Sequence, residues 1–288
     1  MTLIQEIQKK WKPRNTRSHK GDYGRVFILA GSRGLTGAAY LSAMAAVRAG
    51  AGLVTLGVPE AVYPVVARRA AEVMVRPFPS NRQGSLAFSA QRAILNFAAS
   101  QDVLALGPGL SQNPDTQKLI RSLLQTGLPT ILDADGLNAF RAQTAGLLKH
   151  AQPLILTPHP GEFKKVFQSK LPSTDHGRKQ SAVAAAKKCR VIMILKGHHT
   201  VVADPRGRVF VNPTGNPGMA TGGTGDVLTG ILAALLGQGF EPWDAARFGV
   251  YLHGLAGDLA ARRYGEVSLE AGDLLEFLPA AIRKARGR

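Results

Sequence analysis

Short apolar runs, each closing on a glycine or a polar turn and followed by a stretch of helical composition, recur along the chain and constrain its architecture. Residues 25–31 read as a strand ending in Gly31, and the alanine-rich stretch 37–48 reads as the helix behind it. The same alternation predicts strands at 52–58, 102–106, 129–133, 153–157 and 190–195, and helices at 60–71, 115–125 and 178–188. The runs are continuously apolar, the pattern of parallel strands covered on both faces. The chain then changes character. Residues 200–204 and 208–212, joined by Pro205-Arg-Gly207, read as a β-hairpin, and helices follow at 227–236, 243–263 and 271–284. The expected fold class is α/β: a three-layer sandwich with a mainly parallel sheet and helices on both faces. With no Pro/Ser-rich linker and no repeat, residues 1–288 are expected to form one domain with a basic N-terminal segment at about 1–20.

Composition fits this class. The chain has 32 glycines and only 6% aromatic residues, which suits many tight strand-to-helix turns. Cys189 is the one cysteine, so an intramolecular disulfide is excluded and a reducing compartment fits. Residues 1–20 lack the apolar core of a signal peptide and no run reaches a membrane span, so a soluble, unprocessed cytoplasmic protein is expected. The formal charge is +17, with seven Lys/Arg from Lys9 to Arg25 and four more at Arg283, Lys284, Arg286 and Arg288. Such an excess would suit nucleic acid, yet the basic residues are not interleaved with aromatics and no zinc-finger, RRM or KH pattern appears. A surface for phosphorylated small molecules with solvated basic ends fits the charge equally well.

Ligands of such a sheet gather at the carboxyl ends of the strands. The polar turns fall there: Gly31-Ser-Arg-Gly34, Gly107-Pro-Gly109, Asp133-Ala-Asp135, Thr157-Pro-His-Pro-Gly161 and Lys196-Gly-His-His199. The segment Asn212-Pro-Thr-Gly-Asn-Pro-Gly-Met-Ala-Thr-Gly-Gly-Thr-Gly-Asp226 runs straight into the helix at 227–236. Its glycines let several backbone N–H groups turn to one point, where a helix N-terminus already favours negative charge. Gly222, Gly223, Thr224 and Gly225 are therefore the candidate anion hole, and Asp226 the candidate catalytic carboxylate. A plain turn with a first-turn acid would leave five glycines within eleven residues, 215–225, without a use. The loop lacks the Gly-Lys-Ser/Thr ending of a Walker A motif. It also comes too late in the chain for a dinucleotide fingerprint.

A late Gly-Gly-Thr-Gly-Asp helix start behind an α/β sheet resembles the ribokinase-like superfamily. Further motifs narrow the likeness: Lys20-Gly-Asp-Tyr-Gly-Arg-Val, Ala30-Gly-Ser-Arg-Gly-Leu-Thr-Gly-Ala-Ala39, Leu106-Gly-Pro-Gly-Leu110, Leu132-Asp-Ala-Asp-Gly-Leu-Asn138, Leu156-Thr-Pro-His-Pro-Gly-Glu-Phe163, Leu195-Lys-Gly-His-His-Thr200, Asn212-Pro-Thr-Gly-Asn216 and Tyr251-Leu-His-Gly254. Together, from about Lys20 to about Gly257, they resemble the ADP-dependent NAD(P)H-hydrate dehydratase family. The resemblance implies repair of hydrated NADH or NADPH, with ADP as co-substrate giving AMP and phosphate, and Asp226 as the base. It implies that Lys196, Gly197, His198, His199, Thr200 and Gly225 meet the AMP portion, and that Ala39, Gly109, His159 and Asp226 meet the hydrated dinucleotide. It also implies Mg2+ held through phosphate oxygens and water, a homotetramer, and partnership with a separate NAD(P)H-hydrate epimerase, for whose domain the N-terminus is too short.

Read from the residues alone, several positions keep alternatives. Lys196 also reads as a surface lysine ending a strand, and His159 as a loop histidine between two prolines. His198, His199 and His253 lack the spacing and supporting acids of a metal site, and His253 on a helix reads as packing or capping. Asp133 and Asp135 either both face the cleft or divide, one capping the segment after it. Asn138 and Asn216 are candidate polar contacts near phosphate or Mg2+. Two rival functions remain open on the residues: a small-molecule kinase of the same fold, such as one acting on hydroxyethylthiazole, and a basic nucleic-acid-binding protein.

Overall fold

The continuous apolar runs become strands whose alternate side chains serve two separate cores. In the computed structural model, which describes residues 1–287, the helices and strands follow in the order α1 (Leu3–Lys10), β1 (Arg25–Leu29), α2 (Thr36–Arg48), β2 (Leu53–Pro59), α3 (Tyr63–Arg69), β3 (Met74–Phe78), α4 (Gln91–Ala98), β4 (Val103–Leu106), α5 (Pro114–Leu123), β5 (Thr130–Leu132), α6 (Ala134–Asn138), α7 (Thr144–Leu147), β6 (Leu154–Leu156), α8 (Pro160–Phe167), α9 (Asp175–Cys189), β7 (Ile192–Leu195), β8 (Val201–Ala203), β9 (Val209–Val211), α10 (Thr224–Gly237), α11 (Pro242–Tyr264) and α12 (Ala271–Ala285). These strands form one sheet in the order β3-β2-β1-β4-β5-β6-β7-β8-β9. Pairing is parallel from β3 to β7 and antiparallel for β8 and β9, the expected hairpin. On one face Val26, Ile28, Ile131 and Ile155 pack with Ala43 of α2, Ile231 of α10, Phe248 of α11 and Leu274 of α12. On the other, Phe27, Leu29, Leu104 and Leu132 pack with Ile94 of α4, Leu119 of α5, Phe163 of α8 and Ala182 of α9. The three layers expected from the sequence are present.

Strand order reverses between β1 and β4, which opens a crevice at their carboxyl ends. Its two loops are tied together: the Gly31 N–H donates to the Pro108 carbonyl (2.8 Å) and the Ser32 hydroxyl to that of Gly109 (2.8 Å). The helix that carries the candidate site, α10, is buried along Val227–Leu236. Such an all-round apolar helix needs a partner at close range. Gly230 provides it, because a Cβ there would stand 2.1 Å from the Ser42 carbonyl oxygen and 2.7 Å from Ala45 Cβ of α2.

Several elements depart from the sequence reading. The 60–71 helix is shorter and starts with a 3-10 turn at Glu60–Val62 before α3. Strand β3 has no continuous apolar run to mark it, being a largely exposed edge strand that contains Pro77. The basic N-terminus is not a free solvated end. Ile7 of α1 is fully buried, Trp11 packs edge-on against Phe240 at 5.5 Å, and Glu6 and Lys10 pair with Arg247 and Asp244. Basic side chains also cover the chain's own rings, with Arg14 over Tyr23 at 3.8 Å, Arg69 over Tyr40 at 4.4 Å and Arg208 over Trp243 at 4.6 Å. Part of the charge therefore serves internal packing. No helix among the described residues is long and apolar enough to cross a membrane.

Helix propensity alone would make Gly230→Ala stabilising by about 1 kcal/mol. The contact with α2 reverses the sign, so Gly230→Ala is expected to lower stability by about 1–3 kcal/mol, read as a lower urea midpoint. An unchanged or higher midpoint would show that α2 and α10 do not meet this closely.

Candidate active site

Asp133 follows β5 directly, and its carboxylate is the point where the sheet's ligand end is assembled. It is 1% exposed and accepts hydrogen bonds from Thr157 Oγ1 after β6 (2.7 Å), Lys196 Nζ after β7 (2.8 Å) and Thr229 Oγ1 on α10 (2.8 Å). Burial opposes its charge, but Lys196 and the two hydroxyls outweigh it and hold the carboxyl below the usual aspartate range. Burial likewise works against the Lys196 cation, yet the carboxylates of Asp133, Glu162 and Asp226 keep its pKa above the ordinary lysine value. Glu162 Oε2 lies 3.9 Å from Lys196 Nζ, and burial pushes this glutamate's pKa up against the pull of the lysine. Asp135 points elsewhere. Ala134, with φ +47°, turns the chain, and Asp135 accepts from the Ser111 N–H (2.8 Å) and Asn138 Nδ2 (3.2 Å). The two aspartates thus divide, one inside the ion pair and one holding the loop after β4.

The glycine-rich turn opens α10 beside this pair. Gly223, with φ +92°, is the residue before the helix, a backbone conformation that L side chains rarely adopt. The Thr224 hydroxyl donates to the carbonyls of Met219 (3.0 Å) and Thr221 (3.1 Å), fixing the loop to the helix. Gly222 is exposed, with open space where a Cβ would stand. A Cβ on Gly225 would be 3.2 Å from Lys196 Nζ and 3.9 Å from Asp133 Oδ2, so the ammonium reaches the first turn of α10. First-turn amides without helical partners, a helix dipole and a lysine cation converge here, and together they can hold a phosphoryl group. Asp226 sits in the same turn. Burial, reinforced by Asp133, Asp135 and Glu162 and opposed by Lys196, pushes its pKa up to about 7. A carboxylate so placed can take a proton at neutral pH.

A cavity of about 610 Å³ opens on this turn, lined by the loop from Lys196 to Thr200, the loop from Asn212 to Asn216, and Thr224, Gly225 and His253. The structure therefore brings together all the residues expected around the AMP portion. Arg178 of α9 shapes the first loop, donating to the carbonyls of Lys196 (3.3 Å) and His198. The His198 and His199 rings lie against each other at 3.8 Å. In the second loop, Asn216 Nδ2 donates to Asp258 Oδ1 (3.0 Å), and the Gly215 N–H to the other oxygen of that carboxylate (3.0 Å). A smaller cavity of about 330 Å³ lies at the ends of β1 and β4, lined by Ser32, Arg33, Ser111 and Asp135 among others.

Of the residues expected around the dinucleotide, Gly109 is partly exposed beside α2, while Ala39 is fully buried under Gly31 and shapes the site from beneath. His159 is exposed and caps α8, its side-chain Nδ1 accepting from the Gly161 N–H (3.0 Å) while its backbone N–H donates to Glu162 Oε2 (2.8 Å). Asn138 lines neither cavity. A further cavity, about 750 Å³, lies away from these loops, among Arg190, Trp243 and Arg247. Much of its charge is paired within its own walls, Arg247 with Glu6 and Asp244, and Arg208 with Asp204. Arg178, Thr229 and Asp258 carry no local sequence signal; Thr157 falls in a ligand-end turn without a role of its own there, and the capping role of Glu162 shows only as an acid three residues after the cap. Among the described residues no three His, Cys, Asp or Glu side chains converge on a metal-ligand set.

Comparison with known proteins meets this geometry. A family described as NAD(P)H-hydrate dehydratase matches residues 26–280. A bifunctional NAD(P)H-hydrate repair enzyme of Moorella thermoacetica is 48% identical over 94% of the chain, which spans about half (51%) of that relative's length. The crystal structure of an ADP/ATP-dependent NAD(P)H-hydrate dehydratase of Bacillus subtilis, co-crystallized with ATP/Mg2+, superposes with a TM-score of 0.84 at 32% identity, covering 98% of this chain and 97% of that one. A ribokinase-like superfamily protein of Enterococcus faecalis superposes with a TM-score of 0.82 at 28% identity, over 99% and 95% of the two chains. The fold is ribokinase-like.

Turnover that uses the Asp226 carboxylate is expected to rise with pH to a midpoint at about 7 and to level off above it, because protonation below that pH removes the base. Lys196 draws this midpoint down, so Lys196→Met is expected to move it upward in a kcat/KM profile. The same substitution leaves Asp133 buried without its cation and is expected to cost about 3–5 kcal/mol of stability. An acid limb near the ordinary aspartate value, or one indifferent to Lys196, would contradict the charge arrangement.

Proposed function

The chain belongs to the NAD(P)H-hydrate dehydratase family, and from that premise we propose that it dehydrates (S)-NAD(P)H-hydrate to NADH or NADPH while converting ADP to AMP and phosphate. The observation that carries this reading is the Asp226 carboxylate, with a pKa of about 7, in the first turn of α10 beside the glycine turn and the Lys196 ammonium. The hydroxyl on the hydrated ring is a poor leaving group. Asp226 takes its proton as the oxygen attacks the terminal phosphorus of ADP, and the bond to the AMP oxygen breaks. The amides from Gly222 to Gly225, with Lys196, hold the charge of the transferring group. Phosphate then leaves with the carbon–oxygen electron pair, the ring nitrogen lone pair fills in, and loss of a proton from the adjacent carbon restores the double bond.

The AMP portion fits the cavity between Lys196 to Thr200 and Asn212 to Asn216, and the hydrated ring is assigned to the side of Gly109 and His159. Mg2+ fits this site only as an ion carried by the nucleotide, since the Asp133 carboxylate is already taken by Lys196, Thr157 and Thr229. When bound it would neutralise charge on phosphate oxygens. The reading includes a single domain acting in the cytoplasm as a homotetramer, beside a separate epimerase.

Asp226→Asn keeps the shape and removes the base. Turnover of hydrated NADH with ADP is expected to fall by at least ~100-fold, within the range of lost general-base catalysis, while ADP still binds in calorimetry. In the wild type, substrate carrying 18O in the ring hydroxyl is expected to deliver that label to inorganic phosphate. Label found in water instead would exclude phosphorylation of the hydroxyl, and a stable phosphorylated product would mark a kinase.

A further inference from the structure

His253 stands on α11 and lines the nucleotide cavity. Its Nε2 lies 2.8 Å from the Thr224 carbonyl oxygen. A carbonyl can only accept, so Nε2 carries the proton and the ring is held in one neutral tautomer. The imidazole is kept from charging first by burial and then by the Lys196 cation, against the Thr224 bond and Asp133, and its pKa is pushed down to about 4. This is its only hydrogen bond to the protein among the described residues. A packing position on an apolar helix face would be served better by leucine or phenylalanine, which bury no ring nitrogens.

The acceptor explains the choice. The Thr224 carbonyl and the Gly225 N–H belong to one peptide plane. Gly225 is the glycine of the turn that stands closest to Lys196 Nζ, and its N–H is one of the unpaired first-turn donors. A hydrogen bond received at the oxygen of a peptide polarises the group and strengthens its N–H as a donor. The Thr224 side chain is meanwhile pinned to Met219 and Thr221, so the plane is anchored at its side chain and at its carbonyl.

We propose that His253 is a positioning residue of the phosphoryl site, which fixes and polarises the Thr224–Gly225 peptide so that the Gly225 N–H meets the transferred group. The assignment rests on the phosphoryl-transfer reading given above. It gives His253 a role beyond lining the cavity: its loss acts on the reacting phosphoryl more than on ADP affinity.

The variants are His253→Phe and His253→Leu, which remove the donor, and His253→Gln, whose amide N–H reaches as far as Nε2. With hydrated NADH and ADP, the apolar variants are expected to lose about 10–100-fold in kcat, less than the ~100–1,000-fold of losing an anion-hole donor outright. KM for ADP should stay within about threefold and His253→Gln should recover most of kcat, because the peptide regains its partner. Equal kcat in wild type and a folded apolar variant, a loss confined to KM, or no recovery with glutamine would overturn the assignment. Two measurements need no turnover. In wild type, ring 15N shifts at neutral pH should show Nε2 protonated and Nδ1 bare, and the other tautomer or an imidazolium would overturn the assignment even if the variants failed to fold. Titration with inorganic phosphate should move the Gly225 amide resonance in wild type and His253→Gln at about tenfold lower phosphate than in His253→Phe, the scale of one supporting bond. Equal midpoints would overturn it. Wild type that does not turn over hydrate, yet shows these phosphate and tautomer results, would sink the dehydratase reading and leave the role of His253 standing.

Discussion

The buried ion pair between Asp133 and Lys196 is the interaction on which the ligand end of this sheet depends. Three strand ends and the first two turns of α10 meet at one carboxylate, through Thr157, Lys196 and Thr229. A charge so deeply buried is tolerable only with its full set of partners, so the pair locks β5, β6, β7 and α10 into a single register. The glycine turn that opens α10 inherits its position from that lock. Without it the Lys196 ammonium would have no reason to stand beside Gly225.

The same pair sets the chemistry. Asp226 lies in a neighbourhood of three further carboxylates and one cation, and burial makes the imbalance felt. The lysine is largely committed to Asp133, so Asp226 remains a weak enough acid to exchange a proton near neutrality. A kinase-like site arranged this way can phosphorylate a hydroxyl, and a hydroxyl on a reduced nicotinamide ring becomes a leaving group once phosphorylated. An elimination and a phosphoryl transfer therefore call for the same base, turn and cation. On the proposed reading, what distinguishes them is the ring nitrogen of the hydrated nicotinamide, which would supply the electrons that expel phosphate.

The layers were legible in the sequence because period and length are local properties. The apolar runs from Arg25 to Leu195 show parallel strands buried on both faces, and the glycine turn before Asp226 shows the start of a helix. Elements that rely on tertiary partners were not legible: α1 reads as part of a basic segment until Ile7 is seen to be buried, and β3 is an edge strand with a proline. The expected AMP residues line one cavity, but the reason Lys196 stands there does not show in its own neighbours, since Asp133 is 63 positions away. Arg178, Asp258 and His253 contact backbone carbonyls or loop atoms brought near only by folding. The two carboxylates of Asp133-Ala-Asp135 looked equivalent in sequence, and the positive φ of Ala134 is what separates them.

Buried charge around the Asp133–Lys196 pair turns Asp226 into a base for neutral pH. A 13C NMR titration of the side-chain carboxyls, with the Asp226 resonance assigned by its loss in Asp226→Asn, measures this directly. The expected midpoint for Asp226 is about 7. A midpoint close to the ordinary aspartate value of 3.8 would contradict it, because the carboxylate would then be too weak a base for the proposed step and the surrounding charge would have no effect on it.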